Sequence, residues 1–322
     1  MKKYIFIGLA IVAVLLTVVY YYIPDNKEEN VKIGVLSPII PTLPHWVAME
    51  KGFYVEENLN VFEYPNNSSK VLVEFLQNND LDFLTGVSTT DVINAFADKS
   101  NPLKAKIISH ATIKSQEPFE GLLVPRGSTI VNLKHLENKT IAVYPGGTAE
   151  ATLKVFLSNK GIDISTIKFK EVPPPLHLDV LRSGDVDCSF TYEPMRTFCL
   201  EGEKTREIYS SIYASFYDPV AIGVTVISDK LIVEKPELKI KLLKVWDKSI
   251  DFINNNPSEA RSILMKYLKL DDFTAKNSSW VYLTKSNEIN EEILKNTIET
   301  YKKIGVIHQS FEFDNSIILQ ND

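Results

Sequence analysis

Three short segments hold most of the residues suited to gripping a small molecule. Gly146-Gly147-Thr148 places two residues without side chains ahead of a threonine. Such a turn lets backbone N–H groups come close to a ligand oxygen, and the hydroxyl can either cap a helix or donate to the ligand. Ser88-Thr89 offers two more hydroxyls. The stretch holding Ser37, Thr42, His45 and Trp46 adds rings that could stack on a flat ligand, although Trp46 would serve equally well in a core. His110 and Tyr192 stand at the ends of apolar runs, and Glu193 follows directly, where it could simply complement a helix dipole. Asp218, between Tyr217 and Pro219, is either a turn former or a partner for a ligand amine.

These residues bind; their spacing does not catalyse. There is no phosphate loop, dinucleotide fingerprint, HExxH or GxSxG element. Five histidines and two cysteines form no metal-ligand pattern, so no cofactor, metal or catalytic residue is expected. Cys188 and Cys199 read as buried thiols, with a bridge between them as the alternative. A net charge of −6 speaks against nucleic acid as a partner. The turns singled out carry two carboxylates, Glu193 and Asp218, and no lysine or arginine. A bare inorganic anion would then depend on N–H and hydroxyl donors alone. A zwitterion or an aminopyrimidine would satisfy acids and amides together, which favours a small organic solute.

The elements that must position these turns alternate. Strands are expected at 31–37, 59–64, 81–87 and 104–110, separated by helices at 48–58, 68–78 and 88–98. The 68–78 stripe is Val71, Leu72, Phe75 and Leu76. The same grammar restarts with strands at 140–144, 167–172 and 186–192 and helices at 148–160 and 176–183. A further strand is expected at 220–227, and then only amphipathic helices, at 236–255, 257–268 and 290–304. The class is α/β, with mostly parallel sheets, and ligands in such sheets sit beyond the carboxyl ends of the strands.

The N-terminus sets an expectation about compartment. Lys2 and Lys3 precede an uncharged stretch over 4–23, long enough as a helix to cross a bilayer, with Tyr20, Tyr21 and Tyr22 near one interface. The exit lacks the small residues of a cleavage site. Residues 1–23 are therefore expected to be one uncleaved transmembrane anchor, followed by a polar linker at 24–30. The rest of the chain would lie extracytoplasmic, or secreted if the segment is removed.

Several segments in order resemble a known family. Pro44-His45-Trp46-Val47-Ala48 with Glu50-Lys51-Gly52-Phe53, then Leu136-Glu137-Asn138-Lys139-Thr140-Ile141-Ala142-Val143, and Leu181-Arg182-Ser183-Gly184-Asp185-Val186-Asp187 with Glu193-Pro194 are similar to nitrate, sulfonate and taurine-type periplasmic binding proteins. The aminopyrimidine-binding relatives that serve thiamine precursor uptake share this pattern. Asn58 departs from it, standing where a glycine is usual. The resemblance covers about 31–226. It implies a two-lobed Venus-flytrap fold of the second periplasmic-binding type, with 31–112 and 220–322 in one lobe, 113–219 in the other, and hinges near Pro118 and Tyr217-Asp218-Pro219. It places Glu193 facing the cleft. It also implies an ABC permease and its cytoplasmic ATPase as partners. The alternatives are an anchored sensor module, or an enzyme on the same fold acting in pyrimidine or menaquinone precursor metabolism.

Overall fold

The computed structural model of the chain describes residues 28–320. Eleven strands among them form two sheets. The first contains β1 (Glu29–Leu36), β2 (Leu59–Asn66), β3 (Phe83–Ser88) and β4 (Ala105–Ile113). The second contains β5 (Glu120–Pro125), β6 (Thr140–Val143), β7 (Lys168–Glu171), β8 (Cys188–Tyr192) and β9 (Thr205–Ser210). β10 (Val220–Ser228) and the two-residue β11 (Tyr282–Leu283) then return to the first. The orders are β11-β4-β10-β3-β1-β2 and β7-β6-β8-β5-β9. This is the two-lobed α/β architecture expected, with two departures.

First, the sheets are mixed. β1, β2 and β3 run parallel, as do β6, β7 and β8, but β10 is antiparallel to both β3 and β4, and β5 is antiparallel to β8 and β9. Second, the expected transmembrane helix at 4–23 lies outside the described residues. Among those described, no helix is long and apolar enough to cross a membrane. The described residues form two α/β lobes with no membrane-spanning helix among them, so the expected anchor, and the localisation and membrane contact that rested on it, are not supported. The polar run at 24–30 also changes character at its end, since Glu29 and Asn30 already pair with Leu59 and Asn60.

Strands with both faces covered read as continuous apolar runs, and β8 is buried at every residue. Helices cover them with one face each. In Ser69–Gln77 the buried side chains are Ser69, Leu72, Val73 and Leu76, while Phe75 points outward at 41% exposure, so the true face is rotated from the expected stripe. The helix Pro236–Asn255 lays Leu242, Val245 and Trp246 against the first lobe, Trp246 packing 6.0 Å from the Phe83 ring. Cys188 and Cys199 are both buried free thiols.

The chain leaves the first sheet through 114–119 and returns through 211–219. The two passages are tied together. The Ser115 backbone N–H and hydroxyl both donate to the Asp218 carboxylate, the Ser211 hydroxyl donates to Ser115 O at 3.0 Å, and the Ser211 N–H donates to Glu120 O at 3.1 Å.

Candidate functional site

The carboxyl ends of the parallel strands in both sheets face a common cavity of about 90 Å³. From the first lobe come Ser88, Thr89, Thr90 and Asp91, at the start of the helix Thr89–Ala97 that follows β3. From the second come Tyr144, Pro145, Gly146, Thr148 and Ala149, where β6 turns into the helix Thr148–Asn159. The turn needs its glycines, since Gly146 and Gly147 adopt φ of +110° and +82°.

Hydroxyls bridge the lobes across this cavity. Ser88 and Thr90 share a hydrogen bond of 2.8 Å, Thr90 donates to Thr148 at 3.1 Å, and Thr148 donates to the Asp91 carboxylate at 3.0 Å. Asp91 is the third residue of its helix, a position from which an acid often reaches back to its own N-cap. Here it accepts from the opposite lobe instead. Its burial pushes the carboxyl up from the ordinary range, against hydrogen bonds from Ser69 and Thr148 and the nearby Lys70 charge.

The remaining wall mixes aliphatic residues, among them Leu36, Ile39 and Ile222, with aromatic ones. Phe119, Tyr144, Tyr192, Tyr213 and Tyr301 line the cavity. Tyr192 and Tyr213 share a hydrogen bond of 2.7 Å, and the Tyr192 ring stands edge-on to Tyr144 at 5.7 Å. The Tyr144 hydroxyl is buried and meets no hydrogen-bond partner among the described residues. A buried donor left without a partner costs roughly 1–3 kcal/mol, so this hydroxyl is available to a ligand. No lysine or arginine is among the lining residues, and Asp91 is the single charged side chain. A second unit negative charge placed about 4 Å from it would be repelled by about 4 kcal/mol at an effective dielectric near 20.

Of the thirteen residues singled out in the sequence, Ser88, Thr89, Gly146, Thr148 and Tyr192 line the cavity. Gly147 lies just outside, exposed, on an adjoining groove that also includes Asp91 and Lys70. The other seven do not line it. Thr42 is buried and donates to Leu36 O at 2.7 Å, and the Ser37 N–H donates to Asn66 O, so both serve the backbone path around Pro41. His45 is held between the Tyr54 hydroxyl and the Glu63 carboxylate, each at 2.8 Å, and Trp46 stacks on Tyr267 at 5.7 Å in the core. His110 lies in the first sheet, bonded to Thr112, and burial pulls it down to about 4. Glu193 is 1% exposed, and its carboxylate accepts from Arg196 at 2.9 Å and from the Thr197 N–H and hydroxyl. Asp218 joins the two passages between the lobes.

Asp91, Tyr144, Phe119, Tyr213 and Tyr301 were not anticipated. Ser88-Thr89-Thr90-Asp91 has the spacing of a helix start, and Tyr144 immediately precedes the glycine turn, so both carried a local signal. Tyr301 follows Leu294, Thr297 and Ile298 at helical spacing and reads as core.

Comparison with known proteins agrees with this architecture. The NMT1/THI5 like family matches residues 41–260. A Bacillus subtilis protein provisionally named an aliphatic sulfonates-binding protein is 24% identical over 279 residues, covering 85% of this chain and 79% of its own. The periplasmic aliphatic sulphonate binding protein of Escherichia coli superposes with a TM-score of 0.69 at 12% identity, over 91% of this chain and 93% of that one. The alkanesulfonate-binding protein of Xanthomonas axonopodis pv. citri, bound to MOPS, gives 0.68 at 12% identity over 88% and 95%. The two lobes and the cavity between them accord with the fold of these solved structures, and over residues 41–260 the chain belongs to the NMT1/THI5 like family.

Proposed function

We propose that the chain is the extracytoplasmic solute-binding subunit of an ABC-type importer for a small organic solute, sulfonate- or taurine-like or aminopyrimidine-like, which it takes by lobe closure. The observation that carries this reading is the hydroxyl bridge from Thr90 to Thr148 to Asp91 across the cavity. It joins two helices of different lobes, which are also linked by the two passages and by packing of the helix Asp272–Asn277 on Met195–Leu200; a hinge at 114–119 and 211–219 would open the site by parting these contacts. The lobes in this reading are 31–112 with 220–322, and 113–219. The closed form would then dock on a permease whose ATPase drives import. The sulfonate side rests on the names of the relatives, and the aminopyrimidine side on the ring-lined wall.

A thermal-shift screen with taurine, alkanesulfonates, nitrate and aminopyrimidines tests it. A solute that binds only the folded state at a hundred times its Kd should stabilise the protein by about 2.7 kcal/mol. The expected result is a rise of several degrees with at least one class, accompanied by a smaller radius of gyration in solution scattering. Binding without compaction would sink lobe closure, and silence from the whole panel would count against the solute-binding reading itself.

A further inference from the structure

Resting on the solute-binding reading, we infer that the solute this cavity selects is an organic cation of ring size, an amine or amidine whose protonated nitrogen is held by the Asp91 carboxylate. Charge and the ring-bearing lining argue for it together, and opening of the lobes would have to enlarge the cavity of about 90 Å³ to admit a ring. Asp91 is the single charged side chain lining the cavity, and no lysine or arginine faces it there. Five aromatic rings are among the lining residues, and the negative face of an aromatic ring attracts cations and repels anions. The Tyr144 hydroxyl, without a partner among the described residues, supplies one directional hydrogen bond to a second polar atom of the solute.

Two features favour an anion and both are already answered. The helices Thr89–Ala97 and Thr148–Asn159 point their positive ends at the cleft, but Asp91 sits in the first turn of one of them and accepts from Thr148 in the other. Lys70 acts on Asp91 from the adjoining groove, not from the cavity. A sulfonate placed against the tyrosines would face Asp91 with no cation lining the cavity to offset it. The cavity therefore differs in charge from what the names of the sulfonate-binding relatives would lead one to expect.

The test uses two ligands with the same ring and opposite charge, benzamidinium and benzenesulfonate, titrated calorimetrically into the intact protein at neutral pH. Benzamidinium should bind and benzenesulfonate should not. Asp91→Asn should weaken benzamidinium by about tenfold or more, the loss expected for one hydrogen bond to a charged group. Tyr144→Phe, which keeps the ring and is the variant safer for folding, should weaken it by about threefold to tenfold. Benzenesulfonate binding as tightly as benzamidinium, or unchanged benzamidinium affinity in a folded Asp91→Asn protein, overturns the inference. Either result leaves lobe closure on a solute standing. Silence from both ligands also overturns the ring-cation assignment, and the broader panel then decides separately whether the protein binds solutes at all.

Discussion

At the scale of single residues, three buried groups fix how the protein should respond to pH. Glu120 opens β5 with no exposure, its Oε1 accepts the Tyr213 N–H at 3.0 Å, and its Oε2 meets no partner among the described residues. Burial raises this carboxyl to about 8. His110 and His177 move the other way, each pulled down to about 4 by burial, with His177 bonded to Val172 O and the Ser189 hydroxyl. Between pH 4 and 6.5 the unfolded chain protonates these histidines while the folded one does not, so they cost stability as pH falls. Between about 4.5 and 8 the unfolded chain has lost the Glu120 proton that the folded chain keeps, so Glu120 costs stability as pH rises. The two effects overlap below 6.5, and the clean window for Glu120 is pH 6.5 to 8. There the wild type should lose about 1 kcal/mol per pH unit relative to Glu120→Gln, the slope easing as pH nears 8. Urea unfolding at pH 6.5, 7.2 and 8.0 measures that slope, and parallel curves for the two proteins would refute it. Thr148 makes a different prediction. Thr148→Val keeps the shape but removes both hydrogen bonds that Thr148 makes across the cavity, and should lower solute affinity by about tenfold with a change in folding stability near 1 kcal/mol. Calorimetry of the variant beside its urea melt separates the two effects.

Elements show why some of the architecture was readable and some was not. β1, β3, β6 and β8 are apolar runs followed by turns and helices, and this repeated local pattern marks parallel strands well. β5, β9 and β11 were missed for separate physical reasons. β5 follows Pro118 with no α-helix between it and β6, β9 is a half-buried edge strand, and β11 has only two residues. All three pair antiparallel, so their partners are chosen by tertiary contact and not by a neighbouring βαβ unit. The site divides the same way. Ser88, Thr89, Gly146 and Thr148 were legible because they sit in strand-to-helix turns, whereas Tyr213 and Tyr301 reach the cavity from a passage between lobes and from a C-terminal helix. Gly86, inside β3, has φ of +65°, and a Cβ there would stand 2.9 Å from Thr42 Oγ1 and 3.0 Å from Pro41 C. Gly86→Ala should therefore cost about 2–3 kcal/mol through strain and overpacking combined. Gly161→Ala, also at positive φ but with open space around it, should cost only about 1 kcal/mol. Equal losses in denaturant melts would show that packing around the segment 41–42 is not what Gly86 serves.

For the molecule as a whole, the order in which the strands are made differs from the order in which they pair. The second sheet is drawn from one unbroken stretch, residues 120–210, whereas the first is completed only when β10 slots between β3 and β4. Residues 113–219 expressed alone should fold cooperatively, and residues 28–112 should not, which circular dichroism and urea melts of the two fragments would establish. β10 is made roughly a hundred residues after β4, at typical synthesis rates several seconds later. During that interval the earliest-made part of the chain holds two strands with no neighbour between them, while the part made after it can already settle. The half of the protein that is born first is thus the last to mature, and any helper that shields unpaired strand edges during synthesis has its longest task at the beginning of the chain.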